Sequence, residues 1–235
     1  MKLIPDKPAL LIKSNLVVAD LHNGIEFELF KKGANVPSQT SKKLERLLEI
    51  VKDTKPKKLI LLGDLKHNVP VTSRQEQEEV PLFLAELLKH IPKIVITKGN
   101  HDGNIERLVP PGVEVTDELI EGGVGYFHGH KRPSEDLLKQ KLIVCAHTHP
   151  AVMIRDIRGN VKPAWIESKV KGSSTDVVII PAFDDLIRGF AMNRSEPIGP
   201  FLSKMVDLEN AEAYLLDGSY LGTLGELRAG SLGDT

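Results

Sequence analysis

Short apolar runs that stop at clusters of histidine and acidic residues constrain this 235-residue chain more than any other feature. The runs LVVA, KLILL, KIVIT and KLIVCA are of strand length. They lead into Asp20-Leu21-His22, Gly63-Asp64-Leu65-Lys66-His67, Gly99-Asn100-His101-Asp102 and His147-Thr148-His149 respectively. A weaker run, GVGYF, closes on His128-Gly129-His130. Of the 8 histidines only His90 stands apart, at the end of a helix-like segment. Strand carboxyl ends on one edge of a sheet bring distant residues into a single pocket. Imidazoles and carboxylates gathered there are not explained by core packing, because polar groups buried without partners cost free energy. The pattern predicts a metal site.

Between the runs the apolar spacing is helical. Residues 41–52 place Leu44, Leu47, Leu48 and Val51 on one face, with a cap within residues 38–41. Residues 73–90 do the same with Val80, Leu84, Leu87 and Leu88, and Pro81 is expected to kink or restart that helix. Residues 9–12 and 16–19 read as a hairpin through Lys13-Ser14-Asn15. Past the midpoint the pattern is mostly β, with short strands at 113–115, 124–127 and 142–146 and a helix at 134–139. Strands 152–157 and 161–167 flank the turn signature Arg158-Gly159-Asn160. A strand at 176–180 follows, then a hairpin of 213–216 and 220–224 about Asp217-Gly218. No repeat or linker divides the chain, so residues 1–227 are expected to be one domain. Residues 228–235 lack apolar periodicity and read as a flexible C-terminal tail. A β-α-β-α-β first half and a largely antiparallel second half predict an α/β protein of two mixed sheets packed face to face, flanked by helices.

Lys and Arg total 31 against 32 for Asp and Glu, so no global basic field draws nucleic acid. Such attraction would have to come from a local patch or from bound metals. The single cysteine, Cys145, lies within LIVCA and reads as a buried inert thiol in a reducing interior. No run approaches the ~18 apolar residues of a membrane span. The opening MKLIPDKPALLIK has neither a long apolar region nor a cleavage site, so the expected location is the cytoplasm, away from membranes.

Asp-x-His at a strand end puts residues i and i+2 on the same side, within reach of one ion, and His147 and His149 repeat the device. Alone, each pair is weak evidence, and Gly-Asp often just ends a strand. Gly99-Asn100-His101-Asp102 is more specific, because an uncommon metal ligand stands directly before a His-Asp pair. The donors are imidazole, carboxylate and amide oxygen without thiolate. They suit Mn first, and also Fe, Co, Ni or Zn, rather than Ca or a Cys-rich structural zinc site.

In order and spacing the five motifs resemble the calcineurin-like metallophosphoesterase superfamily, from Asp20 to His149 and on to about Asp185 if DVVIIPAFD is counted. The resemblance implies a four-layer αββα sandwich. It implies a first divalent ion on Asp20, His22, Asp64 and His149, with Asp64 bridging to a second on Asn100, His128 and His147. A hydroxide shared by two such ions would attack the phosphorus in line. His101 would meet the leaving oxygen as general acid or charge stabiliser, with Asp102 fixing its tautomer and orientation. Two details depart from the commonest family pattern: Ala146 where a Gly often precedes the His, and Lys66-His67-Asn68 where many members place an acidic residue near position 67. Lys66 and His67 either bind a substrate phosphate or face solvent on a loop. His130, Lys131 and Arg132 either add positive charge at the mouth or belong to a solvated loop. His90 falls in a helix C-terminal turn, where a cation is favoured.

The Gly-Asp-Leu-Lys-His variant and the Ile-Pro-Ala-Phe-Asp segment look most like a small single-domain branch related to the catalytic domain of repair exonucleases, without their DNA-facing domain. That implies a phosphodiesterase acting on nucleotide or nucleic-acid phosphodiesters, DNA or RNA ends included. Two alternatives stay open: a phosphomonoesterase or protein phosphatase, and a non-catalytic metal-binding interaction module of the same fold. The intact His101 and complete ligand set favour catalysis. A nucleic-acid-binding protein without chemistry would need a basic patch or aromatic platform that the sequence lacks.

Overall fold

Period-two burial along the strands sorts the chain into layers. In β3 (Asn15–Val18) and β4 (Lys58–Leu62), residues Leu16, Val18, Leu59 and Leu61 face an outer core shared with helices. Val17, Ile60 and Leu62 face the opposite way, into a core between two sheets. β9 (Leu142–Cys145) and β12 (Asp176–Ile179) repeat the rule. Ile143, Cys145, Val177 and Ile179 point outward, while Val144 and Val178 join Trp165 between the sheets. With both faces covered, such strands read as continuous apolar runs. The layers run helix, sheet, sheet, helix, as expected.

The computed structural model describes residues 1–154, 160–197 and 199–229. Its first sheet has 6 strands in the order β1 (Lys2–Leu3), β2 (Leu10–Ile12), β3, β4, β5 (Ile94–Thr97) and β6 (Val113–Thr116). Pairing is antiparallel up to β3 and parallel from β3 to β6. The second sheet has 9 strands, its main path being β13 (Phe190–Ala191), β10 (Pro150–Met153), β11 (Val161–Lys169), β12, β9, β8 (Val124–Phe127) and β7 (Glu118–Glu121). β14 (Glu212–Leu215) continues the β10 edge of β11, and β15 (Tyr220–Thr223) pairs with β14. β8, β9 and β12 are mutually parallel. The carboxyl ends of β3, β4 and β5 in one sheet, and of β8 and β9 in the other, lead into the five motifs.

The outer face of the first sheet is covered by α2 (Thr40–Thr54) and α3 (Arg74–Leu88), through Leu47, Ile50, Val51, Val80, Phe83, Leu84 and Leu87. α3 opens on a capping box, Ser73 with Glu76. The helix does not restart at Pro81 but runs on continuously, with Pro81 inside. The ring forfeits one backbone bond, to the carbonyl of exposed Gln77, while buried Val80 and Phe83 hold the stripe on either side. α4 (Glu135–Leu138), capped by Ser134, α5 (Pro200–Met205) and α6 (Leu224–Ala229) cover the second sheet. α1 (Ile25–Lys31), β1, β7, β13, α5 and α6 were not expected from the sequence. α6 takes in Arg228 and Ala229, the first two residues of the expected tail. Arg228 donates to the Met192 carbonyl (3.0 Å) and pairs with Glu209 (3.4 Å). Residues 230–235 lie outside the described residues, as do Arg158 and Gly159 of the expected turn, though β10 and β11 pair antiparallel on either side of it. Among the described residues no helix is long and apolar enough to cross a membrane.

Candidate metal centre

Parallel pairing of β3 with β4 continues beyond the strands and zips their loops together. The N–H of Asp20 donates to the Gly63 carbonyl (3.1 Å), that of His22 to Asp64 (2.9 Å) and that of Asn23 to Leu65 (2.9 Å). The N–H of His67 returns to Asn23 (3.0 Å). Asp20, His22, Asp64, His147 and His149 all have left-handed backbone, with φ of 55, 44, 50, 70 and 49°. Such conformations cost about 1–3 kcal/mol each in a non-glycine residue, so surrounding contacts must impose them, and they gather where function requires them. Two glycines are dictated by closeness: a Cβ at Gly63 would lie 2.2 Å from Nδ1 of His128, and one at Gly99 would lie 2.1 Å from Oδ1 of Asp64.

Inside this frame Asp20, His22, Asp64 and His149 form one donor group, and Asp64, His128 and His147 another. Within each, the potential ligand atoms lie within 4.8 Å of one another. Asp64 belongs to both. Its Oδ2 stands 3.2 Å from Nε2 of His128 and 3.7 Å from Nε2 of His22, while Oδ1 accepts the N–H of His101 (2.8 Å). Nε2 of His149 lies 3.2 Å from Nε2 of His22 and 3.5 Å from Oδ1 of Asp20. Asp20 is fully buried, yet neither of its carboxylate oxygens accepts a hydrogen bond, and Nε2 of His128 is buried without one too. Buried polar atoms are nearly always partnered, so the unpaired Asp20 oxygens in the first group and the unpaired His128 nitrogen in the second fit a divalent cation in each. The remaining expected ligand is Asn100. It is exposed on the turn after β5 and its side chain makes no hydrogen bond among the described residues, although Gly99 and His101 both touch Asp64.

The expected pairing of Asp102 with the His101 ring is not formed. Asp102 is buried, and its Oδ2 accepts the N–H of Gly99 (2.9 Å), while Oδ1 accepts those of Leu65 (2.9 Å) and Lys66 (3.3 Å). The N–H of Asp102 donates back to the Gly99 carbonyl (3.3 Å), so the turn closes on itself and folds the carboxylate over backbone. Asp102 therefore clamps the loop after β5 to the loop after β4. Burial and then the charge of Asp64 push its carboxyl up to about 6, against the pull of those backbone bonds. His101 is held instead through Nδ1, which donates to the His67 carbonyl. Its ring stacks on His67 (centroids 5.2 Å) and meets His22 edge-on (4.9 Å).

Lys66 and His67 are buried and do not face solvent. Lys66 is fully buried, with Nζ donating to the Asn68 carbonyl (2.7 Å). His67 is buried between two partners: Nδ1 of His22, 3.0 Å from its own Nδ1, and Oε2 of Glu28 on α1, 2.5 Å from its Nε2. Glu76 anchors this loop, its Oε1 accepting the N–H groups of His67 (2.8 Å) and Asn68 (2.6 Å). His130 is half-buried against His128 (centroids 5.4 Å) and His147 (6.1 Å), on the side of the second donor group. Lys131 pairs with Asp117 (3.3 Å) and exposed Arg132 with Glu135 (3.4 Å). Ala146 is buried between the sheets. His90 lies in the turn after α3 as expected, 3.5 Å from Glu86.

Four residues that support the site were not named as site residues in the sequence reading: Glu28, Lys43, Glu76 and Asp184. Buried Lys43 on α2 donates to the Leu21 carbonyl (2.7 Å) and to Oδ2 of Asp184 (2.6 Å), and so holds the turn at residues 20–22. A lysine in phase with Leu47 on the apolar stripe of α2 was a readable signal. For Glu28 there was none, since α1 itself was not recognised.

The charges are distributed unevenly. Burial alone would lower His128, but Asp64 and then Asp20 outweigh it and raise it to about 9. Burial and then the charge of His128 lower His147 and His130 to about 4. The two carboxylates thus favour a proton on His128, while burial beside it favours neutral imidazoles at His147 and His130.

Residues 15–189 match the calcineurin-like phosphoesterase family. Among solved structures, the nuclease MPE of Pseudomonas putida is 21% identical, over 87% of this chain and 86% of that one, with a TM-score of 0.56. YfcE, a phosphoesterase from E. coli, is 16% identical over 88% of this chain and 96% of that one, with a TM-score of 0.40. No curated protein matches the sequence significantly. The matched span holds all the motif loops, both donor groups and the strands that carry them. By that match the chain belongs to the calcineurin-like phosphoesterase family, hydrolases acting on phosphoester bonds.

Proposed function

We propose that the chain is a dinuclear metal-dependent phosphodiesterase acting on nucleotide or nucleic-acid phosphodiesters, DNA or RNA ends among them. The observation that carries the proposal is Asp64, whose Oδ2 faces Nε2 of His22 in one donor group and Nε2 of His128 in the other. In this reading Asp20, His22, Asp64 and His149 hold one divalent ion. Asp64, His128 and His147 hold the second, with Asn100 completing the set. The mixed N/O donors suit Mn first, with Fe, Co, Ni and Zn as the other candidates. When bound, such a pair lowers the pKa of a shared water and polarises the phosphoryl group.

The chain's own residues do the rest. His101, tied at Nδ1 to the His67 carbonyl, has Nε2 left to protonate or hydrogen-bond the leaving oxygen. Asp102 positions it through the backbone, because the loop it clamps also donates the His101 N–H to Asp64. His130 is the remaining candidate for a substrate contact beside the second group. A fold shared with a protein named as a nuclease supports the diester side of the proposal. The setting we infer is the cytoplasm, which suits a lone thiol, Cys145, buried and unpaired. Residues 1–227 act as one domain in this reading, since strands from both halves build the core between the sheets.

The test is hydrolysis of bis-nitrophenyl phosphate against nitrophenyl phosphate in Mn²⁺. The diester should be cleaved with the higher kcat/KM. Strong preference for the monoester, with no cleavage of any diester or oligonucleotide, would move the chain to the phosphomonoesterases. No cleavage of either ester with any divalent metal would point to a non-catalytic module.

A further inference from the structure

We infer that Glu28 and His67 form a hydrogen-bonded relay that fixes the tautomer of His22, and thereby the lone pair that His22 offers to the first donor group. The inference rests on the reading of His22 as a ligand. An imidazole can ligate through Nε2 only if that nitrogen carries no hydrogen, so something must hold the hydrogen on Nδ1. At His128 a carbonyl does this: Nδ1 lies 3.0 Å from the Leu62 oxygen, which can only accept. At His101 the His67 carbonyl serves the same purpose. His22 is different. Its Nδ1 faces, at 3.0 Å, Nδ1 of another imidazole, His67, which can either donate or accept.

Exactly one hydrogen fits between those two nitrogens, and its ownership decides the site. If His67 carried it, neutral His22 would hold its own hydrogen on Nε2, aimed toward His149 and Asp64. Glu28 breaks the tie. Its Oε2 is 2.5 Å from Nε2 of His67, and a carboxylate only accepts, so the hydrogen of His67 sits on Nε2. Nδ1 of His67 then accepts from Nδ1–H of His22. Nε2 of His22 keeps its lone pair, 3.7 Å from Oδ2 of Asp64. Glu28 is itself steered by Lys32, one helical turn on. With its side chain 42% exposed, Glu28 can be changed without opening the core.

Two measurements test the relay. In metal-free, ¹⁵N-histidine-labelled protein, long-range ¹H–¹⁵N spectra should show His22 protonated at Nδ1 and His67 at Nε2. In Mn²⁺ titrations, Glu28→Ala and His67→Ala should each weaken one of the two ions by roughly 10–100-fold and spare the other. Glu28→Gln should restore most of the affinity, because its amide oxygen still accepts. Should His67→Ala fail to fold, Glu28→Ala on the surface answers alone. Wild-type His22 protonated at Nε2, or equal affinities in wild type and Glu28→Ala, would overturn the relay. So would a third ion lost in His67→Ala, since His67 would then be a ligand. Wild type that binds no ion defeats the ligand assignment instead, and two ions held equally well by Glu28→Ala defeat only the relay.

Discussion

Gly99 leaves room for a single hydrogen beside Asp64. A Cβ there would stand 2.1 Å from Oδ1 and 2.5 Å from the backbone nitrogen of Asp64. Gly99→Ala must therefore displace the one carboxylate that both donor groups share. We expect it to lower metal content at both sites and turnover with it. Elemental analysis decides, and two ions per chain with wild-type turnover would refute the bridge. The neighbours His101 and Asp102 should separate cleanly. Asp102→Asn leaves one acceptor oxygen for backbone N–H groups that two oxygens now serve, and an unsatisfied buried donor costs about 1–3 kcal/mol. At roughly 2–4 °C per kcal/mol for a chain of this size, the melting temperature should fall visibly. His101→Ala keeps its backbone N–H, so fold and ions should persist while turnover drops roughly 10²–10⁴-fold, and less on a nitrophenolate leaving group. If the two variants behave alike, their roles are not distinct. The residues of the two donor groups could be read from the sequence, because strand ends and i, i+2 spacing are local. The burial of Lys66 and the true partners of Asp102 could not, because both depend on where separate loops meet.

At the scale of elements, α2 does more than cover a sheet. Lys43 reaches through the apolar stripe to Asp184 and Leu21, and Arg46 grips Asp185 (2.8 Å) with its guanidinium 3.9 Å over the Phe183 ring. One helix face thus fastens the loop after β12 to the turn after β3. Lys43→Met should cost about 3–5 kcal/mol, because it strands the buried Asp184 carboxylate. Adding Asp184→Leu should recover part of that loss, as denaturant melts of both singles and the double would show. A double variant less stable than Lys43→Met alone would deny the coupling. α2 and α3 were legible because 15 residues each display a full apolar stripe. α1 was not, with only 7 residues and no side-chain cap. β7 was hidden for another reason: as an edge strand it is only partly buried, and its pattern is weak.

For the whole molecule, both sheets furnish the site. Asp20, His22 and Asp64 follow strands of the first sheet, and His128, His147 and His149 adjoin strands of the second. Each proposed ion would therefore tie one sheet to the other, and chelation should lower the melting temperature. In the metal-free protein Asp64 and then Asp20 outweigh burial and raise His128 to about 9 from 6.5, which favours its protonated form. Its stabilising contribution is fully present below pH 6.5 and is lost as pH rises through about 9. A metal must expel that proton, so affinity should increase with pH across the same window. Calorimetric titration at pH 7.5 in buffers of different ionisation heat should count about one proton released per chain from His128. Identical heats in every buffer would contradict this. The first sheet ends at Thr116 and the second begins at Glu118, a division with a consequence during synthesis. A ribosome delivers one complete sheet before any of the other, and neither ligand set is whole until His147 and His149 have left the exit tunnel. A half-made chain then has no tight seat for an ion, and arrested nascent chains that expose residues only to Ala146 should retain none. Metal capture would mark the moment when the second half of the protein has found the first.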